Sequence, residues 1–469
     1  MSGLWRILAA IPAFLALGAM VGWRMAVNSG DESIMHGFVL TAIICAALAL
    51  ILRLGERGVQ HLGSVRSALL LIMIVWLGTP ALAAIPLAMA SPQTPYILAY
   101  SDAMAQLTTT GGQILSFASD REPVIFWRGL LQWLGGYLSI LLALAVLAPL
   151  YLTGPGVYRS SLLSVDKEDL SNRIGTLALI VASVYGMASL GLLIWLLLAG
   201  APFFDAMIAM FGSVSTGGIL PGASSFDAIA GRIGAWGGAM GMLIGATSFT
   251  VHWELHRGRI LHFSDPETLG VLAMAALSAV MLFLMGAHLS PAILNGISLA
   301  TTNAAPMTPG GTGLLPLPIT MSIVLVGGAA LSTAGGVKVI RFLMLFRRTG
   351  SELFKLSHPS AVSPTRFRGQ TIPESSFTNL WVYVLGYAGA LGFLIVVVAA
   401  FGADFEEASN AAVAAISNAG PSFLAGPGGP GDFSHLSPPA LLALSLGMAL
   451  GRVEILAVLA LLSPEFWRE

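Results

Sequence analysis

The sequence predicts an all-α membrane protein, with two N-terminal helices followed by four helix–pore-loop–helix repeats. Three observations carry this. Only 10% of the residues are charged and 56% are hydrophobic, whereas soluble domains carry about 25% charged residues. Apolar runs of about 20 residues, each long enough to cross a bilayer as a helix, recur along the whole chain. Between the members of each later pair of runs lies a shorter stretch that starts polar, turns mildly apolar and ends in small polar residues.

The elements follow in order. Apolar runs near 7–22 and 34–52 form a leading segment, 1–66. The first could be a signal peptide, but the second follows closely and no clear cleavage site separates them, so both are expected as retained helices. Runs then fall near 68–90 and 127–150 (repeat 1, 67–150), 174–200 and 233–251 (repeat 2, 151–260), 269–287 and 319–346 (repeat 3, 261–350), and 378–401 and 438–461 (repeat 4, 377–469). A polar stretch at 351–376, with Pro359, Pro364 and Pro373, reads as a cytoplasmic loop. Lys and Arg concentrate in alternate loops, among them Arg53, Arg57, Arg66, Arg159, Lys167, Arg257, Arg347 and Arg348, which puts those loops and both termini in the cytoplasm. The net charge of -1 says nothing about partners, and no nucleic acid is expected among them. The single cysteine, Cys45, lies in an apolar run, can form no disulfide within the chain and reads as packing.

The short stretches, about 99–118, 202–219, 291–305 and 405–422, are too short to span as helices. They are related. SDAMAQLTTTGG from Ser101 and FDAMIAMFGSVSTGG from Phe204 both open with Asp-Ala-Met and close with hydroxyl residues and paired glycines, while LNGISLATTNAAP and EEASNAAVAAISNAGP are weaker copies. Each can dip in as a half-helix and return as extended backbone, which membranes tolerate only where that backbone is buried or lines a water-filled cavity. Four copies can surround such a cavity. Asp102, Asp205 and Glu406 suit helix N-termini, where the dipole favours negative charge. The negative C-terminal ends would then face the centre and attract cations. Thr and Gly at 108–112 make sense as an ion filter of backbone carbonyls, because glycine permits the angles that aim successive carbonyls inward. The competing reading is a small-residue contact between helices, which four matching stretches disfavour.

Several motifs resemble the Trk/Ktr/HKT superfamily of potassium transporters: TTTGG (108–112), WRGLLQWLGG (127–136), STGG (215–218), LSTAGGVKVIR (331–341), ELFKLSHPSAV (352–362), SNAGP (417–421) and LGRVEI (450–455). The resemblance covers nearly the whole chain. It implies four repeats around a pseudo-fourfold pore, a homodimer in lipid, a cytosolic nucleotide-binding regulatory ring, and location in the bacterial inner membrane. It implies K+ as the transported ion and a filter of Thr109, Thr110 and Gly111, then Ser215, Thr216 and Gly217, then Thr302, Asn303 and Ala304, then Asn418, Ala419 and Gly420. Ala304 replaces a glycine of the family pattern. Its Cβ resists left-handed angles, so the third quarter of the ring is expected to be distorted, and Na+ permeation is the alternative to K+ selectivity. The glycines of Ser332-Thr333-Ala334-Gly335-Gly336 disfavour helix by about 1 kcal/mol each and mark a break, with Lys338 just after it. The resemblance makes this segment a gate beneath the filter.

Arg452 and Glu454 lie inside the last run, where ionisable residues are functional candidates. On a continuous helix they diverge by about 200°, so Glu454 needs a partner on a neighbouring helix. The resemblance implies that Arg452 faces the pore and lowers the local cation potential; the competing role is a staple binding carbonyls. His252 and His256 have metal-ligand spacing but no evident third ligand. No nucleophile, metal set or organic cofactor site marks an enzyme. Channel-like movement and symport with H+ or Na+ both fit. A secondary transporter of an organic solute would predict an inverted two-fold repeat instead.

Overall fold

In a computed structural model of the chain, residues 2–55, 65–90, 93–115, 121–147, 170–222, 225–259, 264–311, 313–358, 365–367, 370–424, 431–464 and 467 are described. The expected cytoplasmic cations Arg57, Arg159 and Lys167 fall outside them. Among the described residues the fold is all-α apart from one two-stranded hairpin and an isolated bridge between Gln113 and Asp432.

Helices α1 (Ser2–Ser29) and α2 (Glu32–Gly55) form a hairpin that turns at Gly30, whose φ of 71° suits glycine. Asp31 restarts the chain as helix by accepting from the Ile34 amide (3.3 Å). Repeat 1 begins with α3 (Val65–Met73), a π turn (Ile74–Gly78) and α4 (Thr79–Met89). Then come half-helix α5 (Tyr96–Leu107) and α6 (Glu122–Leu142), which a second π turn (Ala143–Leu147) extends. Gly37 lets α2 lie against α4, since a Cβ there would sit 2.8 Å from the Pro86 Cα.

Repeat 2 comprises α7 (Leu170–Leu198), half-helix α8 (Phe203–Val214), α9 (Asp227–Ala246) and α10 (Phe249–His256). Repeat 3 comprises α11 (Pro266–Leu284), half-helix α12 (Leu289–Ala300), α13 (Leu317–Val326) and α14 (Val339–Ser357). Repeat 4 follows the hairpin β1 (Arg366–Phe367) and β2 (Gln370–Thr371) with α15 (Glu374–Ala400), half-helix α16 (Phe405–Ile416), α17 (Pro438–Val453) and α18 (Ile455–Leu462). Among the described residues, seven helices are long and apolar enough to cross a membrane.

Three expected elements are corrected. The run 319–346 is not one broken helix but two, α13 and α14, with irregular backbone over 327–338. The run 438–461 bends by 105° between α17 and α18. The stretch 351–376 is not all loop: α14 continues to Ser357 and the hairpin follows, while 359–364 and 368–369 lie outside the described residues.

Candidate functional site: four converging tails and a loop beneath them

The half-helices α5, α8, α12 and α16 are each 12 residues long. At about 1.5 Å per residue they reach only part-way through a bilayer. Each ends the same way. The second residue beyond each helix takes a left-handed angle: Thr109 (φ 53°), Thr216 (56°), Thr302 (58°) and Asn418 (49°). For β-branched threonine this is unfavourable, by about 1–3 kcal/mol per residue, so surrounding bonds must hold it. Arg452 donates to the Thr109 hydroxyl, the Gly335 amide donates to that of Thr302 (2.8 Å), and Thr216 donates to the Ser215 carbonyl (2.7 Å). Asn418 donates to the Thr110 hydroxyl (3.1 Å) and the Met448 carbonyl (2.9 Å).

The fourth tail residue sets the register. Gly111, Gly218 and Ala304 have φ of 75°, 77° and 55°. Their amides donate to carbonyls six residues back: Ala105 (3.0 Å), Gly212 (3.3 Å) and Ser298 (2.9 Å). Gly218, not Gly217, therefore stands level with Gly111; the sequence register matched the first glycine of each doublet and fell one residue short. Ala304 adopts the left-handed angle it was expected to resist, so the third quarter keeps the common backbone. The quarter that departs is the fourth. Gly420 has no positive φ and opens a 3-10 turn, Gly420–Ser422, in which Pro421 is pre-set for a first turn. The Gly420 amide donates across to the Thr110 carbonyl.

The tails meet in sequence around one centre. A Cβ at Gly111 would run into the Gly217 carbonyl oxygen; one at Gly218 would lie 2.6 Å from the Asn303 oxygen; one at Gly420 would lie 2.5 Å from the Thr110 oxygen. Ala304 and Ala419 share one apolar cluster. The order is therefore repeat 1, 2, 3, 4 and back to 1, and all twelve predicted tail residues lie in or beside this ring. The Asn303 side chain is turned away to the Gly212 carbonyl (2.9 Å), leaving its main-chain oxygen beside Gly218.

Sequence reasoning missed the supports behind the ring. Gln132 donates to Gln106 (2.8 Å), which donates to the Gly112 carbonyl (2.8 Å). Gln132 also fills the space where a Gly217 Cβ would go. The available signal was WRGLLQWLGG, which puts Arg128 and Gln132 four apart on one face of a membrane helix. Asp205 and Glu406 do sit in first turns, of α8 and α16. Asp102 does not. It is the seventh residue of α5, fully buried and ion-paired with Arg128 at 2.6 Å. The shared Asp-Ala-Met was misleading: Asp102 stands six residues before Thr108 but Asp205 stands ten before Ser215, a full helical turn out of step.

The predicted gate residues Ser332, Thr333, Ala334, Gly335, Gly336 and Lys338 belong to the irregular segment 327–338, which starts five residues earlier, at the Gly327-Gly328 doublet. The segment lies directly under the tails. The Thr333 hydroxyl meets that of Thr216 (3.3 Å), the Gly335 amide reaches Thr302, and a Gly335 Cβ would strike the Ser417 carbonyl. Arg452 makes the link to repeat 1, donating to the carbonyls of Thr108 (2.7 Å) and Thr333 (2.5 Å). The arginine thus sits below the ring and also binds carbonyls, joining a tail to the segment. Lys338 does not reach toward the cytoplasm; it is buried and donates to the Ala334 carbonyl.

The helical argument for Arg452 and Glu454 fails, because the helix breaks at Glu454 (φ 68°). Glu454 still finds its partner on a neighbouring helix: Arg341 of α14, which also lies 3.6 Å over the Tyr383 ring. His252 bonds to Thr247 (2.9 Å) and the Ile244 carbonyl (3.0 Å), and His256 stacks on Trp253. Among the described residues no three His, Cys, Asp or Glu side chains gather as a metal site.

A family model described as TrkH, cation transport protein, matches residues 317–468. The Trk system potassium uptake protein TrkH of Salmonella typhimurium is 30% identical over 457 residues, covering 92% of each chain. TrkI of Halomonas elongata, also a Trk system potassium uptake protein, is 29% identical over 85% of this chain and 83% of its own. The crystal structure of the potassium transporter TrkH from Vibrio parahaemolyticus superimposes with a TM-score of 0.84 over 100% of this chain and 99% of that one, at 24% identity, which establishes a shared fold. The chain belongs to the TrkH family of cation transport proteins.

Proposed function

We propose that this protein takes up potassium across the bacterial inner membrane, through a ring of peptide oxygens closed beneath by the segment 327–338. The relatives' potassium uptake supports this, and the ring order is the observation that carries it: the first, second and fourth tails each abut a carbonyl of the next, and the third shares an apolar cluster with the fourth. Such carbonyls replace the water shell of an alkali ion. Level residues Gly111, Gly218, Ala304 and Gly420 and those just before them, Thr110, Gly217, Asn303 and Ala419, line the site. Thr109, Thr216, Thr302 and Asn418 anchor its base, with Ser215 at the start of the second tail. Four half-helix C-termini point their negative ends at the centre and favour a cation. The membrane potential drives entry, at about 2.3 kcal/mol per charge per 100 mV.

The gate reading assigns Ser332–Gly336 and Lys338 to the closure. Arg452 adds a positive charge at the same level. The repeats divide at 67–150, 151–260, 261–350 and 377–469 after a leading 1–66. A homodimer, cytoplasmic termini and a cytosolic nucleotide-binding ring complete the reading, with α14 and the hairpin offering the cytoplasmic surface.

The test is uptake of K+, Rb+, Na+ and choline into proteoliposomes. K+ and Rb+ enter and choline does not; failure to move any alkali cation rejects the reading. Gly111→Ser forces a side chain against the Gly217 carbonyl and should lower the K+/Na+ ratio about tenfold. Removing 332–336 should raise K+ flux, and unchanged or lower flux in a folded protein would remove the gate role.

A further inference from the structure

Asp102 and Asn295 occupy the same place in two repeats. Each is the seventh residue of its half-helix, α5 or α12. Each accepts from the amide seven residues past its helix end: Asp102 from Ile114 (3.3 Å), Asn295 from Met307 (2.9 Å). Both also hold the next residue. Asp102 accepts from the Leu115 amide (3.0 Å) and Asn295 donates to the Thr308 hydroxyl (2.8 Å). Arg128 completes the first clamp, binding both Asp102 oxygens and the Leu115 carbonyl (2.9 Å). All these groups are buried.

Repeats 2 and 4 have alanine at the same place, Ala209 and Ala411. Nor is the partner amide offered there. Its counterpart in repeat 2 is Pro221, which has no N–H, and in repeat 4 the Phe423 amide is bonded to the Gly420 carbonyl (2.8 Å). Around the ring, repeats 1 and 3 stand opposite each other. The returning limbs of one opposite pair are therefore pinned to their own half-helices by side chains, and those of the other pair are not.

We propose that Asp102, with Arg128, and Asn295 are positioning residues for ion selection, fixing the diameter of the ring across repeats 1 and 3. Neither touches the ion. Each acts through the limb that carries the ring carbonyls three to four residues earlier. The inference rests on the filter reading above.

The experiment uses the full chain in proteoliposomes and reads the K+/Na+ uptake ratio beside yield and thermal unfolding. Asn295→Ala should lower the ratio about fivefold, and so should the pair Asp102→Asn with Arg128→Gln, which leaves no lone buried charge. Asn295→Asp keeps an acceptor for the Met307 amide but loses the donor to Thr308 and Pro291 and buries a charge with no arginine beside it, so it should lower the ratio at least as far as Asn295→Ala. Ala209→Ser and Ala411→Ser should also stay within about twofold, since the unclamped repeats do not use this place. An unchanged ratio for Asn295→Ala, or an equal fall at all four places, overturns the proposal. If Asn295→Ala does not fold, Thr308→Val removes only the hydroxyl partner, and an unchanged ratio there overturns it equally. If Gly111→Ser leaves the ratio unchanged as well, the filter reading has failed; if Gly111→Ser lowers it while Asn295→Ala does not, only the clamps have.

Discussion

The third and fourth tails make an instructive pair. Repeat 3 carries the irregular sequence, Asn303-Ala304, yet its backbone follows repeats 1 and 2, with a φ of 55° and the same bond to a carbonyl six residues back. Repeat 4 carries the expected glycine, yet Gly420 leaves the common path and bonds across to Thr110. Residue identity at one position therefore does not decide the backbone there. Ala304 is held by what surrounds it: Asn303 anchored to Gly212 on one side and the Met307 amide anchored to Asn295 on the other. Gly420 is held by the bond from its amide to the Thr110 carbonyl of another tail.

The sharpest way to break this comparison is Gly420→Ala. A Cβ there meets the Thr110 oxygen at 2.5 Å and the Gly112 nitrogen at 2.6 Å, both backbone atoms of another tail. K+ uptake should fall at least about tenfold. Near-normal uptake would mean that the fourth tail is not packed into the ring. Next comes Ala304→Val. A β-branched side chain in a fully buried left-handed position should lower stability by about 2 kcal/mol, read as denaturation in detergent. An unaffected midpoint would show that the angle is not enforced. The smallest effect belongs to Ala304→Gly. Relief of the left-handed alanine and the added freedom of the unfolded chain oppose each other, leaving a gain of about 1 kcal/mol or less. The K+/Na+ ratio should stay within about twofold, because the backbone is already in the common form. A large change would show that Ala304 tunes selectivity directly.

Much of this was legible in the sequence, for physical reasons. Hydrophobic run lengths fix which segments can span, so the leading pair, the four repeats and the half-helices could be read directly. The register could not. Glycine doublets offer two equivalent choices, and only the end of each helix, set by hydrogen bonding, says which glycine is level with which. The break at Glu454 was hidden because the one helix-disfavouring residue in LGRVEI, Gly451, stays helical and lies three residues before it, while the partner that holds Glu454, Arg341, is 113 positions away in the chain. The segment under the ring was visible at Gly335-Gly336, but its opening at Gly327-Gly328 was read as ordinary helix. Asp102 was misplaced because a three-residue match outweighed its distance from the helix end.

One detail of that segment limits how it can move. Its two ends cross so closely that a Cβ on Gly327 would collide with Gly335, and a Cβ on Gly336 would lie 2.7 Å from the Gly327 Cα. Backbone bonds seal the crossing, from Val337 to Leu325 (2.8 Å), Lys338 to Val326 (2.9 Å) and Val339 to Gly328 (3.0 Å). It cannot unravel from one end without first opening this neck. If the segment gates as proposed, it would therefore move as one piece, and α14, which follows Lys338 at once, would be the element joined to it.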